Sequence, residues 1–158
     1  MTSKKYERIY KMLENVTPLR ADCGVICNKN CCKGDENTGM LLFPFEETAL
    51  TVKEENGLRV AVCDGTCLRN ERPLSCRLFP FFPVMNSEGD IEAVIDARGY
   101  GICPLTEHQS EIKFNLRFLR SVRRVGRILY RDEDTFPFMK KISGEIEFQK
   151  ELIEKLRG

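Results

Sequence analysis

The sequence predicts an α+β fold: a small cysteine-rich domain of short antiparallel hairpins with flanking helices and one long helix in its C-terminal half. Three observations point there. Eight cysteines fall in groups among Gly, Asn and Pro residues, a composition of turns rather than of regular core elements. Short apolar runs are separated by Asn56-Gly57 and by Asn86-Ser87-Glu88-Gly89-Asp90, which suits hairpins. Past residue 106 the apolar residues recur at helical spacing.

In chain order, Tyr6, Ile9, Tyr10 and Leu13 lie three and four residues apart with Lys and Glu opposite them, so an amphipathic helix is expected over 3–16, with Pro18 helping to end it. The run from Gly39 to Leu50 predicts a short buried strand broken at Pro44, followed by a turn of helix. Thr51–Lys53 and Leu58–Val62 are expected to pair through a turn at Asn56-Gly57, delivering Cys63 at a strand end. The stretch from Cys63 to Cys76 holds three thiols and is crowded by Gly65, Pro73, Pro80 and Pro83, so it reads as a turn-rich loop. Phe81–Met85 and Ile91–Ile95 predict a second hairpin, leading to Cys103-Pro104. Thr106 with Gln109 suggests a capping box for the longest helix, about 107–131. On it Phe114, Phe118, Val122, Val125 and Leu129 form an apolar face, widened by Ile112 and Leu119. After a turn at 132–137, a closing helix over about 145–156 is expected to pack Ile146, Ile153 and Leu156 inward. No repeat, linker or low-complexity segment interrupts the pattern. A single domain over 1–158 is expected, with a cysteine-cluster core at about 20–105 and a helical part at about 106–158.

The composition is that of a soluble protein, with 42% hydrophobic and 31% charged residues. No run approaches eighteen apolar residues, so no membrane partner is expected. The N-terminus, with charges mixed through its apolar residues, lacks a signal-peptide core, and a cytoplasmic location is expected. In a reducing compartment, clustered thiols more often bind metal or do redox work than form a disulfide framework. Metal binding is therefore favoured over disulfides and over unconnected buried thiols.

Cys23, Cys27, Cys31 and Cys32 form a CxxxCxxxCC array. Gaps of two to four residues let paired sulfurs reach one ion at about 2.3 Å, and the interspersed Gly and Asn residues permit the left-handed turns this needs. Adjacent side chains in an extended chain point to opposite sides, so Cys31 and Cys32 either serve different centres or include one thiol that is not a ligand. The spacing differs from the radical-SAM signature CxxxCxxC by one residue in the second gap, and the chain falls short of the roughly 200 residues such a barrel needs. Cys63, Cys67, Cys76 and Cys103 complete the candidate ligand set. Zinc, iron and an iron–sulfur cluster are all compatible with thiolate ligation. His108 is the only histidine, which excludes a histidine-rich catalytic zinc site and a Ser-His-Asp set; it is read as a surface residue. No Gly-rich dinucleotide or S-adenosylmethionine loop is present, Gly99-Tyr-Gly101 being too weak a signal.

The cysteine pattern resembles the zinc- or iron-chelating family called YkgJ-like, whose pattern is CxxCxxCC, then C…C…RPxxCRxFP, then a last Cys-Pro. Cys31-Cys32 match the double cysteine, with Cys23 and Cys27 before it. Cys63 and Cys67 match the middle pair. Arg72-Pro73, Cys76-Arg77 and Phe79-Pro80 match the most specific segment, and Cys103-Pro104 the last. The first array departs from the family by one extra residue in each gap. The match covers roughly residues 20–105. The resemblance implies a protein that binds zinc, iron or an iron–sulfur cluster through these cysteines. A related module occurs in flagellin lysine methylases, so a metal- or cluster-dependent enzyme of redox or methyl-transfer chemistry is the alternative; no catalytic residue is assigned. Arg72 and Arg77, beside the thiols, are read either as salt-bridge partners at the core edge or as donors that stabilise metal-bound thiolates; the resemblance favours the second.

Lys113, Arg117, Arg120, Arg124, Arg127 and Arg131 fall within about 40° of one line on the predicted long helix. Long cationic side chains commonly form the solvated face of a buried helix, and the chain is only +1 overall. The stripe is thus read as solvated cover. Binding an anionic partner, or offsetting thiolate charge, are the other readings; nucleic acid is not an expected partner, and a metal ion is.

Overall fold

The computed structural model describes residues 3–19, 39–62, 71–99, 106 and 112–157. The first helix, α1, spans Lys4–Leu13, and the Ser3 side chain caps it by accepting the Tyr6 N–H. Tyr6, Ile9 and Leu13 are buried, as their spacing predicts.

Strand β1 (Gly39–Leu41) is followed by a turn through Pro44 and Phe45, in which the Glu46 N–H donates to the Phe43 carbonyl at 3.0 Å. Phe45 takes a left-handed φ of 63°, a conformation that a bulky side chain adopts only when its surroundings hold it there. They do: the Tyr6 hydroxyl donates to the Pro44 carbonyl at 2.5 Å, and Arg59 Nη2 to the Phe43 carbonyl at 2.9 Å. The turn of helix expected after Pro44 does not form; residues 46–50 are bends and irregular chain. β2 (Thr51–Glu55) and β3 (Leu58–Val62) form the expected hairpin. Asn56 and Gly57 both have positive φ, 53° and 79°, the requirement of a two-residue primed turn. The sheet order is β1-β3-β2, all antiparallel.

The Pro-rich stretch contains a short helix, α2 (Leu74–Leu78), that the loop reading missed. Pro73 stands at the N-cap without a side-chain capping bond, and Leu74 and Leu78 share one face and are fully buried. A cis Phe79–Pro80 bond leads into β4 (Phe81–Met85), which pairs antiparallel with β5 (Ile91–Ile95) as the expected hairpin. The chain then makes a 3-10 turn over Ala97–Gly99.

The C-terminal half departs most from expectation. Helix α3 runs Leu116–Arg131, not from 107: Asn115 caps it by accepting the Arg117 N–H, and residues 112–115 are not helical. Thr106 is itself buried and helical, while Gln109 lies outside the described residues. Phe114 still joins the core from its extended segment, its ring edge-on to Phe81 at 4.8 Å. α3 is not the longest helix either. Helix α4 runs Phe136–Arg157, 22 residues, and begins nine residues before the expected closing helix. Proline at its second position explains the start, since proline is tolerated in the first turn of a helix. Ile146 is buried and Ile153 partly so, but Leu156 is 80% exposed because the core ends before the helix does.

The core lies where α1, α3 and α4 meet the β4–β5 hairpin. Phe43 carries the first sheet into it, stacking on Phe82 at 6.1 Å and meeting Phe138 at 4.8 Å. Tyr130 ties three elements together, its hydroxyl accepting the Met85 N–H at 3.3 Å and lying 2.5 Å from Ser143 Oγ on α4.

Candidate metal centre

The described residues include one of the eight cysteines, Cys76, half-buried in the middle of α2. Cys23, Cys27, Cys31, Cys32, Cys63, Cys67, Cys103 and the lone His108 lie outside them. Around Cys76 the scaffold is tightly specified. The Ser75 hydroxyl donates to the Leu41 carbonyl at 2.6 Å, setting α2 against β1. Arg77 Nε donates to the Arg72 carbonyl at 2.7 Å, and its guanidinium lies over the Tyr10 ring, 4.1 Å from the centroid. Burial holds the Arg77 pKa below its ordinary value.

The residue that sequence reasoning missed is Glu46. Its side chain is fully buried, yet all three of its bonds are to different parts of the chain. Oε1 accepts the Phe43 N–H at 3.0 Å; Oε2 accepts the Leu74 N–H at 2.7 Å and the Tyr10 hydroxyl at 2.5 Å. Leu74 is the first residue of α2, so one carboxylate joins α1, the Pro44 turn and the helix that carries Cys76. Burial raises the Glu46 pKa, against the lowering effect of the Tyr10, Leu74 and Phe43 bonds. Burial likewise pushes the Tyr10 and Tyr6 hydroxyls upward, and Glu46 adds to the rise. Only the Pro44 break hinted at a turn here; nothing local distinguishes Glu46 from its exposed neighbour Glu47.

The scaffold also pairs points near where the cysteine-bearing stretches leave the described chain. Gly39, directly after the first array's stretch, pairs with Val62, directly before Cys63. Cys76 sits on a helix bonded to the same strand, β1. The Asn115 N–H donates to the Pro18 carbonyl at 2.8 Å, which joins the entry to the first array to the exit from the Cys103 stretch. The Asp96 N–H donates to the Pro80 carbonyl at 2.7 Å, so the approach to Cys103 starts beside the end of α2.

No family model, curated protein or solved structure matches this chain. The chemistry must therefore be argued from the residues. Among the described residues, no group of three or more His, Cys, Asp or Glu side chains could hold a metal ion. A centre involving Cys76 would have to be completed by thiols outside them. The donor type fits: a thiol on a short, doubly anchored helix suits zinc or an iron–sulfur cluster.

Proposed function

We propose that this protein binds zinc, iron or an iron–sulfur cluster through its clustered cysteines, with Cys76 as a ligand and further thiolates drawn from Cys23, Cys27, Cys31, Cys32, Cys63, Cys67 and Cys103. The YkgJ-like resemblance is part of this reading, in particular the Arg72-Pro73…Cys76-Arg77…Phe79-Pro80 string. The observation that carries it is the anchoring of the Cys76 helix. A half-buried thiol lies on a five-residue helix bonded at Leu74 to Glu46 and at Ser75 to Leu41. Its helix is bonded to β1, whose first residue, Gly39, pairs with Val62, and these two adjoin the stretches that carry every other thiol except Cys103.

Bound thiolates and metal would supply an organising centre for stretches whose sequence is rich in turn residues. The metal's contribution to folding can reach the order of 10 kcal/mol, comparable with the whole net stability of a domain. Arg72 and Arg77 would stand beside the centre and lower the energy of its negative charge.

The test is elemental analysis with an absorption spectrum on protein purified without oxygen. Stoichiometric zinc or iron is expected, with a visible charge-transfer band if the centre is an iron–sulfur cluster. Absence of both metals, or four disulfides found by mass spectrometry in the cell, would overturn the proposal.

A further inference from the structure

Helix α3 carries six arginines, Arg117, Arg120, Arg123, Arg124, Arg127 and Arg131, and no Asp, Glu or Lys. The whole chain is only +1, so with these six set aside the remainder is −5. Five of them, all but the half-buried Arg123, are exposed. Among the described residues, none of the six lies within 4.0 Å of a carboxylate oxygen.

This arrangement works against the helix. The five exposed arginines stand three or four residues apart, where like charges repel, and Arg117 and Arg120 sit in the first turns, where the helix dipole disfavours cations. A solvated face needs no such concentration; α4 mixes both signs on its exposed positions. The five exposed arginines line one side of the helix as a single ridge over about 21 Å of its axis, with steps of about 4.5–6 Å. Arginine rather than lysine favours a partner that accepts planar, two-pronged hydrogen bonds, as phosphate does.

We propose that this ridge is a docking surface for the phosphate backbone of double-helical nucleic acid. A duplex carries one charge per about 1.7 Å of its axis, so the ridge spans about a dozen phosphates. A lipid surface suits it less well. Helices that lie on bilayers sink an apolar face beside the basic one, and the apolar face of α3 (Phe118, Val122, Val125 and Leu129) is fully buried in the protein core. The contact is to the backbone, so recognition by this ridge is independent of base sequence.

The test is fluorescence anisotropy of the whole protein with labelled 20-base-pair DNA and RNA duplexes of arbitrary sequence, at 50 and 200 mM salt. Binding of either duplex is expected, weakening roughly 50- to 500-fold across that range for three to five phosphate contacts. The R117Q/R120Q/R124Q/R127Q variant should bind at least 100-fold more weakly at 50 mM. The K140Q/K141Q/K150Q/K155Q variant of α4 loses the same charge and should stay within threefold of the parent. If the quadruple α3 variant loses its circular dichroism, R117Q/R120Q and R127Q/R131Q serve instead, each lowering the salt slope by about 2. The proposal is overturned by no binding to either duplex at 50 mM, by equal weakening in the α3 and α4 variants, or by stripe-dependent binding to anionic vesicles alone.

Discussion

Glu46 accepts the backbone N–H of Leu74 at 2.7 Å across 28 residues of chain. With this bond a fully buried carboxylate in the Pro44 turn determines where the Cys76 helix begins. The Tyr10 hydroxyl and the Phe43 N–H bond to the same carboxylate, so removing it leaves two buried backbone N–H groups and the half-buried Tyr10 hydroxyl without this partner.

Glu46→Ala should therefore destabilise the protein by about 3 kcal/mol or more, since each buried group left unpaired costs about 1–3 kcal/mol. Glu46→Gln keeps the shape and part of the bonding and should cost less. Equilibrium urea unfolding of the two variants measures both. Equal stability of Glu46→Ala and the parent would show that the three bonds contribute nothing net.

The pH dependence follows from the same residue. Burial raises the Glu46 pKa above its ordinary value of 4.5, so the native state holds that proton to higher pH than the unfolded chain does. This contribution to stability is complete below the unfolded pKa and is lost as pH rises through the folded one. The parent should lose stability relative to Glu46→Gln as pH rises from about 4.5, with the difference levelling off above the folded pKa. Denaturation of both proteins across that range checks the sign; a difference that grows in the opposite direction contradicts it.

Cys76→Ser should lower bound metal and melting temperature together, because a ligand lost from the proposed centre loosens the chain it organises. Cys67→Ser should behave alike, whereas serine at a thiol that is not a ligand should change neither. If Cys76→Ser and Cys67→Ser both keep full metal content and native stability, the 63–76 stretch is not the centre.

Gly126 lies where α3 crosses the β4–β5 hairpin, and a Cβ there would come within 2.5 Å of Pro83 Cβ and 2.7 Å of Ile91 Cγ2. Gly126→Ala should cost about 1–3 kcal/mol through overpacking, which outweighs the gain of about 1 kcal/mol in helix propensity. A melting temperature at or above the parent's would show that the hairpin yields freely.

Leu156 and Ile146 test the extent of the core along α4. Leu156→Ser, at an 80% exposed position, should stay within about 0.5 kcal/mol of the parent. Ile146→Ala, at 1% exposure, should cost about 2–5 kcal/mol. Thermal melts of the two variants distinguish the positions directly.

What the sequence by itself determined was local. The Asn56-Gly57 turn needs only two adjacent residues that tolerate positive φ, and the strands on either side follow from it. The β4–β5 hairpin was legible from the turn residues between two short apolar runs, and the buried faces of α1 and α3 from apolar residues three or four apart. In the candidate centre, the spacing of the cysteines is what motivates the proposed chemistry, and the structure describes Cys76 and Arg77 together on one short helix, with Arg72 just before it. That the segment from Leu74 to Leu78 is a helix was hidden, because the prolines on either side of it, Pro73 and Pro80, argue for turns and its buried face is created by packing. Tertiary structure alone decided the role of Glu46: it stands beside Glu47 with the same local signals, and only Tyr10 and Leu74, 36 and 28 residues away, draw it inside. The exposure of Leu156 belongs to the same class: it depends on where the core ends in space, and that boundary is set by elements distant in the chain.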